Sequence, residues 1–152
     1  FNGCVHLQGL TSINQVAYLV DRSQLHLGVD SFPVHMAGSF DTPLVSLYSN
    51  AYIENCSPYW GDKDKQILLS PDFSVIKPSF SFEESPKRVN SIKSEEISKG
   101  ALDLLQIKHN INYKTVFVGN RYSNMTMFSN VKPSSLDFIR PINGRNSWKR
   151  RP

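Results

Sequence analysis

Apolar residues recur at helical spacing in three stretches, with short strand-like stretches between them. Ile13, Val16, Ala17 and Val20 share one face of a helix over residues 12–21, which Thr11 or Ser12 can cap. A second helix opens at Asp30-Ser31. Pro33 stands in its first turn, where proline is tolerated, and Val34, Met36, Ala37 and Phe40 supply its apolar face. A third, over residues 94–105, starts with Glu95 and Glu96 and presents Ile97, Ala101, Leu104 and Leu105. Strands are expected at 5–8, 24–28, 44–48 and 66–69. Residues 44–48 are apolar enough to predict burial on both faces. Asp41-Thr42-Pro43 marks a turn, 49–61 reads as a loop, and 70–88, with Pro71, Pro78 and Pro86, as an irregular crossing segment.

Strands alternating with helices over short connections predict an α/β fold with a parallel, Rossmann-like sheet. A complete doubly wound domain needs more strands ahead of the first one here, so the sheet is expected to be incomplete at its N-terminal side. Residues 1–107 form the expected domain. From Lys108 the character changes: 114–119 reads as a strand ending in a turn, and the rest of 108–152 is turn-rich and can open a further domain.

The net charge of +4 changes little in this picture. Four basic residues and no acidic one lie between Arg145 and Pro152, and without them basic and acidic residues are equal in number. No basic stripe with interleaved aromatics is present, which argues against a nucleic-acid partner and leaves at most a peripheral membrane contact for the tail. No apolar run approaches a membrane span. Cys4 and Cys56 lack metal or redox spacing, which suits a reducing, cytoplasmic setting. No metal site and no cofactor are expected.

The stretch 25–40, LHLGVDSFPVHMAGSF, carries the candidate chemistry. A strand ends at a small residue, Asp-Ser follows, and a helix begins at once. Backbone N–H groups and the helix dipole make such a start a seat for phosphate, at the strand ends where open parallel sheets hold ligands. The plainer alternative is that Asp30 or Ser31 simply caps the helix. His35 can donate to an anion or sit as a helix histidine satisfied by a carbonyl. Tyr59 and Trp60, in the loop after the third strand, can stack on a base or sugar or cover the edge of the core.

Asp30, Ser31, Phe32, Pro33, Val34, His35, Met36 and Ala37 resemble the donor motif D-[ST]-G-x-x-H-[LI]-A of the ADP-heptose:lipopolysaccharide heptosyltransferases, glycosyltransferase family nine. Gly9 to Ser12 with Tyr18-Leu19-Val20, the segment Pro43 to Tyr48, and Ser91 to Ile97 look like three further family segments in the same order. The resemblance covers roughly residues 3–107. Phe32 replaces the usual Gly, and Ser49 stands where Gly often follows the strand.

The resemblance implies the C-terminal, donor-binding half of a GT-B glycosyltransferase. Ser31 and the N–H groups of Phe32, Val34 and His35 would hold the donor diphosphate, and Asp30 would fix the turn or contact the donor. Thr11 and Ser12, with Tyr59 and Trp60, would line the nucleotide or sugar pocket. The partners implied are a nucleotide-diphosphate sugar and a glycan or lipopolysaccharide acceptor. Transfer of this type needs no metal, and its general base is expected in the acceptor-binding half, so no catalytic residue is assigned in this chain. The bulk of Phe32 motivates an alternative, a catalytically inactive nucleotide- or glycan-binding module on the same fold. An unrelated nucleotide-binding hydrolase or epimerase is weakened by the absence of GxSxG, P-loop and GxGxxG patterns.

Overall fold

The computed structural model describes residues 3–81, 83–84, 87–117 and 126–128. Three strands, β1 (His26–Val29), β2 (Leu44–Leu47) and β3 (Gln66–Leu69), form a parallel sheet in that order. Helix α1 (Ile13–Arg22) precedes β1, and α2 (Phe32–Ser39) crosses from β1 to β2. A one-turn helix α3 (Ile53–Cys56) lies between β2 and β3, and α4 (Ser94–Leu104) follows. The α/β character and parallel sheet agree with the sequence pattern.

The sheet is covered on both faces at its centre. Val20, Val34, Ala37 and Leu44 form the core against α1 and α2, with Val16, Met36 and Leu68 packed around it. Ile67, the neighbour of Leu68, points to the opposite face. There a Cβ on Gly100 of α4 would stand 3.1 Å from its side chain, so glycine lets the helix lie close to the sheet. Leu44, Val45 and Ser46 are fully buried, as expected of a central strand. Burying side chains the size of Val34 and Leu44 contributes about 1.5–3 kcal/mol each.

Helix ends are closed by local chemistry. Ser12 and Gln15 make a reciprocal capping box: the Ser12 N–H donates to Gln15 Oε1 at 2.8 Å, and the Gln15 N–H to Ser12 Oγ at 3.4 Å. Helix α2 ends with Asp41 in the left-handed region, φ 56°. The Asp41 N–H reaches the Gly38 carbonyl and the Thr42 N–H the Ala37 carbonyl. Helix α4 ends in the same way at Gln106, φ 55°.

Several expectations are corrected. Residues 5–8 form no strand: Val5 is 78% exposed, and the local bond is a turn from the Leu10 N–H to the Leu7 carbonyl. An apolar run becomes a strand only beside a ladder partner, and among the described residues β1 pairs with β2 alone. Leu27 and Val29 of β1 are half exposed, since α4 covers β2 and β3 instead. Ile13 and Phe40, expected on inner helix faces, are exposed. The loop 49–61 contains α3. The strand expected at 114–119 appears as β4 (Thr115–Phe117), and it pairs antiparallel with β5 (Thr126–Phe128), inside a stretch expected to be turn-rich. The remaining expectations for the region, including the basic tail, lie outside the described residues.

Candidate functional site

The end of β1 passes into α2 within two residues. The Asp30 N–H extends the sheet by donating to the Leu47 carbonyl at 3.1 Å, which fixes Asp30 at the carboxyl end of β1. Ser31 is the N-cap residue of α2, but its side chain caps nothing. Its hydroxyl turns back and donates to the Val29 carbonyl at 3.0 Å. No acidic residue occupies the first turn. The Val34 N–H is engaged with the Ser31 carbonyl at 3.1 Å, and the Val34 side chain is fully buried.

Beside this helix start lies a cleft of about 290 Å³ at the carboxyl ends of β1 and β2. Asp30, Ser49, Asn50, Ser81, Glu84 and Lys87 supply its polar lining, and Val29, Leu47 and Val89 its apolar walls. Glu84 braces the wall. It accepts from the Ser79 hydroxyl, the Arg88 guanidinium at 2.9 Å and the Arg88 N–H. Burial opposes its ionisation, but these donors outweigh burial and hold its carboxyl below the usual range. Lys87 is exposed and faces the cleft.

Two residues behind Asp30 were not found from the sequence. Helix α3 folds back so that the Cys56 thiol faces the Asp30 carboxylate; burial, then the Asp30 charge, push that thiol up. Cys56 therefore stays a neutral thiol and is a poor nucleophile. Tyr48, fully buried just past β2, has its phenol pushed up first by burial and further by Asp30. Tyr48 ends the 43–48 segment and comes near Asp30 through the pairing of β1 with β2, whereas Cys56 carries no motif and meets Asp30 only once α3 has formed.

The expected site residues separate into three places. Asp30 lines the cleft. Phe32 and His35, on the outer side of α2, share an open groove of about 540 Å³ with Met36, Ser39, Phe40, Tyr59 and Trp60. The Phe32 ring belongs to that groove and not to the lining of the cleft. Thr11 lies in a shallow groove on α1 with Tyr18 and Leu19, and Ser12 is occupied by its capping box.

Tyr59 and Trp60 are not at the ligand end of the strands. The Trp60 carbonyl accepts from Gln66, the first residue of β3, and Gly38 near the end of α2 packs on Pro58. Helix α3 has carried the chain from the carboxyl ends of the strands back to their amino ends. The expected position for this pair is corrected accordingly.

Comparison with known proteins decides the family. The model of glycosyltransferase family 9 (heptosyltransferase) matches residues 1–78, half of the chain, and spans Thr11, Ser12 and the whole β1–α2 turn. The chain belongs to glycosyltransferase family 9. Over 42 residues it is 43% identical to lipopolysaccharide heptosyltransferase 3 of Escherichia coli. That stretch is 28% of this chain and 12% of that protein, so the match spans a small part of the relative's length. No solved structure gives a significant match. Among the described residues no helix is long and apolar enough to cross a membrane, and no cluster of His, Cys, Asp or Glu could hold a metal ion.

Proposed function

We propose that this family 9 chain is the donor-binding part of a GT-B glycosyltransferase that moves a heptose-like sugar from a nucleoside diphosphate to a glycan acceptor. The observation that carries the proposal is the uncapped start of α2 beside the Asp30 cleft. Helix α1 closes its N-terminus with a capping box and α4 fills its own with glutamates, whereas α2 leaves its positive end to a ligand.

In this reading the diphosphate lies on the first turn of α2, against the Phe32 N–H, with Ser31 and His35 at its sides. The sugar enters the adjoining cleft. There Asp30 and Asn50 accept and donate to hydroxyls, and Lys87 faces the phosphate from the far wall. Transfer breaks the bond between the anomeric carbon and the diphosphate oxygen and forms one to an acceptor hydroxyl, whose proton leaves to a general base. Charge developing on the leaving diphosphate is stabilised by the helix start and by Lys87. The base and the acceptor-binding half belong to a further domain of the enzyme, which works in the cytoplasm.

The test is titration of the folded chain with ADP, UDP and GDP, and with the corresponding monophosphates, by calorimetry. One diphosphate should bind better than its monophosphate, and Asp30→Ala should weaken binding of the matching nucleotide sugar by about tenfold. Failure of every diphosphate to bind a folded chain would sink the proposal. The inactive-module alternative is favoured if Phe32→Gly, in an enzyme completed with its acceptor half, restores turnover that the parent lacks.

A further inference from the structure

We propose that the groove along the outer side of α2 is an accessory glycan-binding site, which takes a distal stretch of the acceptor chain whose reacting end the acceptor-binding half holds. The identity of the glycan as acceptor rests on the donor-binding reading above; the groove itself rests on separate observations.

Tyr59 is 80% exposed and Trp60 67%, so neither ring covers the core. They stand edge to face, with centroids 4.9 Å apart and planes at 84°. Phe32 and Phe40, also exposed, extend the lining. Exposed aromatics gathered in one patch mark a binding surface far more often than single exposed residues do.

The loop that carries the pair is held at every step. Lys63 Nζ donates to the Pro58 and Tyr59 carbonyls, the latter at 3.0 Å. Gln66 Nε2 donates to the Trp60 carbonyl at 3.0 Å, and the Asp62 N–H to Asp41 Oδ1 at 2.8 Å. Gly61 lies at φ +91°, where a Cβ would fall 2.0 Å from the Gly38 carbonyl oxygen, so only glycine fits. Two exposed rings on a backbone fastened this firmly form a preorganised platform, which saves ordering cost on binding.

The lining selects the class of ligand. Among the described residues no Lys, Arg, Asp or Glu lines the groove, and its one imidazole, His35, lies at the end next to the proposed diphosphate seat, so the platform end offers little to a phosphate or a polyelectrolyte. It combines ring faces with hydroxyl, indole and imidazole groups at Tyr59, Ser39, Trp60 and His35. A pyranose has the matching character, with an apolar C–H face that packs on an aromatic ring and hydroxyls around its rim. The groove spans α2, about 12 Å for eight residues. It runs from the platform at the amino ends of the strands to Phe32, next to the proposed diphosphate seat. A sugar chain lying along it would lead towards the donor, where the acceptor-binding half holds its reacting end.

The test uses the full chain. Its two tryptophans are Trp60 and Trp148, so Trp148→Phe leaves Trp60 as the sole tryptophan reporter. The probe is a core oligosaccharide prepared from lipopolysaccharide by removing lipid and phosphate. A saturable change in Trp60 emission is expected. Tyr59→Ala and Trp60→Ala should each weaken oligosaccharide binding about tenfold by calorimetry while ADP affinity stays within about twofold.

Absence of any response from a chain shown folded by circular dichroism overturns the proposal. So does a response to saccharide-free phosphatidylglycerol vesicles in its place, which would make the platform a membrane contact. Competition between ADP and the oligosaccharide also overturns it, by making the groove part of the donor pocket. Oligosaccharide binding without binding of ADP, UDP or GDP supports the groove as a glycan site and sinks the donor reading instead.

Discussion

Helix α4 carries Glu95 and Glu96 in its first turn, and α2 carries no acidic residue there. The Glu95 carboxylate accepts its own backbone N–H, the Thr115 N–H at 3.1 Å, and the Thr115 hydroxyl. Its helix dipole is answered from within the chain, and the buried carboxylate ties α4 to the start of β4. At α2 the equivalent second position is Pro33, which has no N–H, and the cap serine turns its hydroxyl away. The same physics yields a structural joint in one helix and, in the other, an uncapped start, the seat proposed for the diphosphate. What separates the two is whether the chain supplies its own negative charge.

Removing the internal charge from α4 should produce the largest effect on stability. Glu95→Ala leaves the Thr115 N–H buried without its acceptor and should cost about 2–3 kcal/mol in urea denaturation. Glu95 also sets a pH dependence. Burial alone would raise its pKa, but the Thr115 hydrogen bonds prevail and lower it. A carboxyl depressed in the folded state contributes stability above its unfolded value, about 4.3, and loses that contribution as pH falls through the lower folded value. Glu84 acts in the same direction. Glu95→Gln, which keeps an acceptor, should cost less at neutral pH and flatten the acid limb. An unchanged acid limb would mean that the carboxylate is not the linked group.

Adding to α2 what α4 already has is the converse change. Pro33→Glu places a carboxylate where Glu95 stands in α4. It should raise stability by about 0.3–1 kcal/mol while weakening nucleoside-diphosphate binding by about tenfold. A loss of binding that came with lost stability would point to damaged packing. A gain in stability with full binding retained would show that the diphosphate does not use this helix start.

These contrasts also show which parts of the molecule are legible in the sequence. The strands at 26–29, 44–47 and 66–69 are, because each is a short stretch rich in Leu, Val or Ile between turn or helix signals. A cap at Thr11 or Ser12 is legible, and the structure places it at Ser12 in a capping box with Gln15. Asp30 and Ser31 are visible as a strand-to-helix turn, since a short strand precedes them and Pro33 with the apolar stretch after it marks a helix start. The place of Tyr59 and Trp60 is not. It depends on α3, on the positive φ of Gly61 and on the tethers from Lys63 and Gln66, all of which join residues whose local pattern reads only as loop. The approach of Cys56 to Asp30 has the same origin. The alternating stretch at 5–8 misleads for another reason: alternation announces a strand but says nothing about whether a neighbour is there to pair with it.

The C-termini of the two helices sharpen the comparison at the smallest scale. Both place a non-glycine residue in the left-handed region, Asp41 after α2 and Gln106 after α4, at a cost of about 1–2 kcal/mol relative to glycine. Asp41 offsets that cost through its carboxylate, which accepts the Asp62 N–H and anchors the loop behind the aromatic platform. No hydrogen bond of the Gln106 side chain accompanies its strained backbone, where the bonds to Asp103 and Leu102 are made by main-chain groups. Gln106→Gly should therefore stabilise the fold by about 1 kcal/mol, read as a shift in thermal midpoint. Asp41→Gly should gain less or nothing, because relief of the backbone is set against the lost bond to Asp62. Equal gains at the two positions would show that the Asp41 carboxylate does not hold the loop, and the rigidity of the Tyr59–Trp60 platform would have to come from Lys63 and Gln66 alone.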